Sequence, residues 1–285
     1  MPIARAGAVN IHYDVRGSGQ PILLIMGFRS SSQMWGQAFL DPLSRNFRVI
    51  TFDNRGTGAS DKPNAAHTIE MMAADAVSVL EHLEIPRAHV FGVSMGGMIA
   101  QELALHYPQQ VDRLVLGCTT CDGPRAAIAS LPAYSQLLTH KYLPEEEVIH
   151  RRWHIMLSPG FIAAHPDVLK SLTQRALAHP TPGYSAMRQA MAIQRFDTSN
   201  RLGQIMAPTL VITGSADALI PLAHSYLLAD RIPDSTLEIV QGAGHGFFWE
   251  RPDDLVELLT RFCEIDSGQD SGTHRTRTPT VDVST

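Results

Sequence analysis

The sharpest chemical signal in the chain is Gly92-Val93-Ser94-Met95-Gly96-Gly97. A G-x-S-x-G is common by chance. Here the apolar run His89 to Val93 stands directly before it, and a small, apolar helical pattern from Met95 to His106 stands directly after it. A sharp strand-to-helix turn needs small residues on both sides of a strained serine. It presents the hydroxyl at the end of the strand, beside the positive end of the helix dipole. Such a serine is nucleophilic near neutral pH only with a base, and the base needs an orienting carboxylate. His245 lies in the glycine-rich stretch Gln241 to Gly246, just past the last strand pattern. Asp217 closes Thr213-Gly214-Ser215-Ala216-Asp217, after the run Leu210 to Ile212. The order Ser, Asp, His along the chain suits a triad of nucleophile, orienter and base on such a frame.

The elements that must position these residues are legible in the hydropathy. Ile22 to Met26, Phe47 to Phe52, His89 to Val93, Leu114 to Leu116, Leu210 to Ile212 and Leu237 to Val240 are short, largely apolar runs. Runs that are apolar at consecutive positions suit parallel strands buried on both faces. Ile3 to Arg16 alternates around Gly7 and predicts an antiparallel hairpin on the sheet edge. Helical patterns fall at 69–83, 95–106, 222–232 and 253–264. Strand–helix alternation predicts an α/β fold with a doubly wound, mostly parallel eight-stranded sheet.

The alternation stops between Gly123 and Gln204, where helical patterns are separated by prolines. So long a block without strands is too long for a loop. It predicts a helical cap at 123–204 inserted into a core formed by 1–122 and 205–266. After 266 the chain lacks apolar residues to bury, which predicts a disordered, dispensable tail at 267–285.

Composition narrows the class. The 285 residues include 23 Lys+Arg and 28 Asp+Glu, with a net charge of -5, and 44% are hydrophobic. This is a globular composition, and its mild acidity gives no reason to expect nucleic acid or an anionic membrane as partner. There is no apolar run of membrane-spanning length and no signal-peptide layout, and the three cysteines make no disulfide framework, so a cytoplasmic location is expected. Cys118 and Cys121 form a C-x-x-C, but no second Cys/His pair stands at zinc spacing. No phosphate loop or dinucleotide fingerprint appears, so neither cofactor nor metal is expected. Were that to fail, His150, His154 and His165 would be the place to look. Nothing sets the oligomeric state.

Five pieces together resemble the α/β-hydrolase superfamily. They are Met26-Gly27-Phe28, the turn Asp53 to Ser60, Gly92 to Gly97, Gly214 to Asp217, and Gly242 to His245 followed by Glu250-Arg251-Pro252. The resemblance spans about 2–265, and the helical block falls where that superfamily inserts its cap. It implies Ser94 as nucleophile, His245 as base and Asp217 as orienter, with an oxyanion hole from the main-chain N–H groups of Phe28 and Met95. It implies only a structural role for the turn Asp53 to Ser60. The chain departs from the family at Met26, where His is frequent, which bears on how the loop Gly27 to Ser32 is held. Serine at the elbow, instead of the Asp of haloalkane dehalogenases and epoxide hydrolases, points to an acyl-enzyme.

The expected activity is cofactor-free hydrolysis of a small-molecule carboxylic ester or lactone, the motifs being most similar to the enol-lactonase, methylesterase and perhydrolase branches. Carbon–carbon bond hydrolysis, acyl transfer or cyclisation on the same triad, and a non-catalytic receptor, are the alternatives. Phe28, Met95, Trp153, Leu219, Phe247 and Phe248 are the expected pocket walls.

Overall fold

A computed structural model describes residues 2–125 and 144–264. Eight strands form one sheet: β1 (Ile3–Ala6), β2 (Val9–Arg16), β3 (Gln20–Ile25), β4 (Phe47–Phe52), β5 (Ala88–Val93), β6 (Val111–Gly117), β7 (Thr209–Gly214) and β8 (Ser235–Val240). Their order is β1-β2-β4-β3-β5-β6-β7-β8. The β1–β2 and β2–β4 pairs are antiparallel, and every pair from β4 to β8 is parallel. The hairpin thus lies on one edge, as its alternating pattern predicts.

Successive residues of the central strands serve opposite layers. Leu23, Ile25, Ile50 and Val90 pack with helices α2 (Ile69–His82) and α3 (Met95–His106). Ile22, Leu24, Val49 and Phe91 pack on the other face with α1 (Gln37–Leu43) and with the long C-terminal helix Pro252–Glu264. Two apolar layers explain why these strands read as largely apolar runs. The edge strand β8 differs: its burial alternates, and Leu237 and Ile239 are only half-buried while Glu238 is exposed.

In the segment 144–204 the described chain forms α4 (Glu145–Met156), α5 (Pro159–Ala164), α6 (Pro166–Ala178) and α7 (Gly183–Arg195). Prolines begin these helices instead of merely separating them. Pro159 and Pro166 occupy the first turn, and Pro144 and Pro182 immediately precede it. There the missing N–H breaks no helical bond and the fixed φ favours entry. Two further helices follow β7 and β8: α8 (Leu222–Arg231) and the short α9 (Phe247–Glu250), which leads into α10 (Pro252–Glu264). The expected tail at 267–285 and the cap residues 126–143 lie outside the described residues.

The parallel order β3-β5-β6-β7-β8 has one consequence for chemistry. It sets the residues that follow those strands side by side along one edge, the position at which α/β sheets bind ligands.

Candidate active site

Ser94 follows β5 with φ 57° and ψ -122°. This is a conformation that L-residues rarely adopt and that costs roughly 1–3 kcal/mol. The surrounding glycines make it attainable. A Cβ on Gly92 would collide with the carbonyl of Gly96, and one on Gly96 would strike the carbonyl of Ile25. Only bare backbone lets β5, α3 and β3 approach so closely. The turn is tied down by the Ser94 N–H, which donates to the Gly117 carbonyl at 2.8 Å, and by the Thr119 hydroxyl, which donates to the Ser94 carbonyl at 2.7 Å.

Asp217 and His245 meet across the ends of β7 and β8. Nδ1 of His245 lies 2.8 Å from Oδ2 of Asp217. The other carboxylate oxygen accepts the main-chain N–H groups of Leu219 at 2.8 Å and Ile220 at 2.9 Å. The carboxylate is therefore held from two sides, with one oxygen left for the imidazole. His245 is 3% exposed. Burial is the largest single influence and opposes its charged form, but the Asp217 carboxylate and the Cys118 sulfur together outweigh burial, and the imidazole pKa stands well above its ordinary value.

One neighbour of this pair was not anticipated. The Cys118 thiol, the imidazole and the Asp217 carboxylate have ligating atoms within 4.8 Å of one another. Cys118 follows β6 directly, and β6 lies between β5 and β7. The strand order would have placed it there; the C-x-x-C reading obscured it. Cys118 is fully buried, and burial pushes its thiol pKa up. Both Cys118 and Cys121 are free thiols. Of the histidines in the α4–α6 segment, His150 and His154 lie with ring centroids 4.9 Å apart and tilted, and His165 packs on Phe161.

The loop after β3 is held without a histidine at Met26. The Met26 carbonyl accepts the Asn54 amide at 2.9 Å. The Arg29 N–H donates to Gln189 of α7 at 3.0 Å, and the Arg29 carbonyl accepts the Thr181 hydroxyl at 3.0 Å. Asp53 contributes by accepting the Ser32 N–H at 2.7 Å and the Ala59 N–H at 2.7 Å. The turn Asp53 to Ser60 thereby braces this loop from below. Among the described residues, the main-chain N–H groups of Phe28 and Met95 have no acceptor.

Glu250 braces the histidine loop. Its carboxylate accepts the N–H of Gly244 at 2.9 Å, the N–H of Ser158 at 2.9 Å and the Ser158 hydroxyl at 2.6 Å. It thus joins the loop that carries His245 to the junction of α4 and α5. Glu250→Gln turns an amide N–H₂ toward donors that need an acceptor. The expected result is a melting temperature lower by about 5 °C, since a disrupted buried network of this kind costs roughly 1–3 kcal/mol. Turnover should fall about tenfold. Thermal denaturation and steady-state kinetics check both, and a variant equal to wild type in both would refute the bracing role.

Ser94 and His245 open into a cavity of about 420 Å³. Met26, Phe28 and Phe248 line it from the core, Trp153 and Met156 from α4, and Ala186, Met187 and Ala190 from α7. Leu219 completes the wall. Two expected wall residues lie elsewhere. Phe247 is fully buried in the layer beneath, against Gly117 of β6, because the turn of α9 points it opposite to Phe248. The Met95 side chain is buried in the layer of α2 and α3. Arg29 and Arg152, which sequence reading passed over, do line the cavity.

The family model for the alpha/beta hydrolase fold matches residues 20–252. The chain is 31% identical to 3-oxoadipate enol-lactonase 2 of Acinetobacter baylyi, over 82% of this chain and 86% of that one. Among solved structures it is similar to a thermophilic esterase from Thermogutta terrifontis (27% identity, TM-score 0.79, 92% of this chain and 97% of the other). It is also similar to Est816, an N-acyl homoserine lactone degrading enzyme (29% identity, TM-score 0.76, 92% and 100%). With a family match over most of its length and the sheet order described above, the chain belongs to the alpha/beta hydrolase fold family of enzymes.

Proposed function

We propose that this enzyme hydrolyses a small carboxylic ester or lactone through an acyl-enzyme on Ser94. The observation that carries the reading is the convergence on one cavity of a strained serine and a histidine paired with a buried carboxylate. The enol-lactonase and esterase likenesses support the same bond type.

His245, neutral at the start, accepts the Ser94 proton through Nε2 as Oγ attacks the carbonyl carbon. The resulting imidazolium is stabilised by Asp217. The N–H groups of Phe28 and Met95 receive the developing oxyanion, and their lack of any other acceptor leaves them ready for it. The imidazolium then gives its proton to the leaving alkoxide. A water attacks the acyl-enzyme by the same route, which releases the acid and restores Ser94. Among the described residues the Ser94 hydroxyl has no hydrogen bond to the imidazole; such contacts commonly tighten only in the Michaelis complex. In this reading the helices α4–α7 form the cap that selects the substrate, and the sheet supplies the chemistry.

Cys118 is the rival nucleophile, its sulfur lying within 4.8 Å of the imidazole. Its raised pKa and full burial favour Ser94. Treatment with a fluorophosphonate should give one adduct, on Ser94 by peptide mass spectrometry, together with loss of p-nitrophenyl ester turnover. Iodoacetamide should leave turnover intact. A thiol adduct that silences the enzyme, with Ser94 unlabelled, would overturn the assignment.

A further inference from the structure

Two cations share the catalytic cavity with Ser94 and His245. Arg29 follows Phe28 in the β3 loop, and Arg152 projects from α4 beside Trp153. Both are half-buried, and both also line an adjoining recess that holds Arg175 and Glu145. Among the described residues, neither guanidinium donates a hydrogen bond or pairs with a carboxylate within 4.0 Å, and Arg29 Nε is buried without an acceptor. Glu145 attracts both from a distance, from an exposed position at the start of α4.

Such an arrangement is unfavourable for the fold alone. Desolvated charges without partners destabilise, and two of like sign add repulsion. Burial and the neighbouring Arg29 lower the Arg152 pKa to about 10, and burial lowers that of Arg29. The backbone nonetheless holds Arg29 in place with φ 58°, pinned by Gln189 through its N–H and by Thr181 through its carbonyl. A strained conformation fixed from two sides and used to aim an unpaired cation marks a ligand clamp. A guanidinium fork matches a carboxylate in plane, with two parallel N–H···O bonds.

We propose that Arg29 and Arg152 form a carboxylate subsite, and that the substrate is an ester or lactone carrying a second, free carboxylate. The proposal rests on the ester or lactone reading of the Ser94 site and narrows it. It accounts for unpaired cations in a cavity otherwise walled by Phe28, Trp153, Met156 and Phe248. The carboxylate would supply the partner that each guanidinium lacks.

The test compares charged and capped substrates on the full chain. p-Nitrophenyl half-esters of glutaric and adipic acid place the carboxylate on the acyl side, and 4-acetoxybenzoate places it on the leaving group. Each is paired with its methyl-capped counterpart. The expected result is that kcat/KM for one charged series exceeds its capped partner by about tenfold or more, the scale of a charge-assisted bond. That ratio should fall at least tenfold in Arg152→Met and in Arg29→Met, with Arg152→Lys between. Arg152→Met should melt no lower than wild type, because it removes an unpaired, partly desolvated charge; a structural arginine would give the opposite. A wild-type preference for the capped esters, or a ratio unchanged in both methionine variants, overturns the subsite. If no ester is turned over, the ester reading fails separately, and calorimetric titration of glutarate into Ser94→Ala decides. Binding that is abolished by adding Arg152→Met upholds the subsite, and absence of binding refutes it.

Discussion

Replacing Ser94 with alanine is expected to lower kcat by about 10³-fold or more while leaving the fold intact, because nothing else in the cavity can replace the hydroxyl in a covalent step. Alanine keeps the Cβ and with it the strain at φ 57°. Glycine does not. Ser94→Gly should be equally inactive yet melt above Ser94→Ala, since relief of a rare backbone conformation outweighs the roughly 0.4–1 kcal/mol of unfolded-chain entropy that glycine adds. Kinetics on a p-nitrophenyl ester series and thermal denaturation of the two variants check this. Activity that survives in Ser94→Ala would remove the nucleophile assignment. Equal melting of the two variants would show that the elbow conformation carries no cost.

The pattern legible in the sequence is the one dictated by local chemistry. G-x-S-x-G was readable because two glycines admit close backbone packing, which the Gly92 and Gly96 contacts exhibit. The strands were readable because two apolar layers leave few polar positions along the central strands. What the sequence concealed depends on neighbours far apart in the chain. Arg152 looks like one more polar residue of an exposed helix face, between Arg151 and Trp153. Only the placement of α4 beside the strand ends brings it into the wall of the cavity that Ser94 also lines. Cys118 was masked by its spacing to Cys121, although its place after β6 carries the same information that located Ser94 after β5. Phe247 and Phe248 are adjacent and chemically alike, so the direction of a one-turn helix alone decides which faces the cavity. The role of Glu250 was equally hidden, since its partners Gly244 and Ser158 belong to segments that meet only in the fold.

Asp217→Asn is expected to reduce kcat by about 10³- to 10⁴-fold and also to move the pH profile. Oδ1 of the asparagine can keep the N–H groups of Leu219 and Ile220, which leaves its N–H₂ facing His245 Nδ1. Nδ1 must then accept, so Nε2 carries the proton and cannot take one from Ser94. In the proposed mechanism the wild type needs the neutral imidazole, whose pKa stands well above 6.5 because Asp217 and Cys118 together outweigh burial. Activity should therefore rise with pH through a single group lying above 6.5 and level off beyond it. In Asp217→Asn the larger raising influence is gone while burial and Cys118 remain, so the residual activity should titrate at lower pH than in the wild type. Stability follows the opposite course. A folded-state pKa raised above the unfolded value gives the His245–Asp217 pair a stabilising contribution that is complete below about 6.5 and is lost as pH rises through the folded pKa. The wild type should thus lose melting temperature over the same interval in which it gains activity. In the asparagine variant the fall should be smaller and displaced to lower pH, since its imidazole loses the proton earlier. Rate and melting profiles that move together in the wild type, or an acid limb that stays in place in Asp217→Asn, would mean that another group governs the reaction.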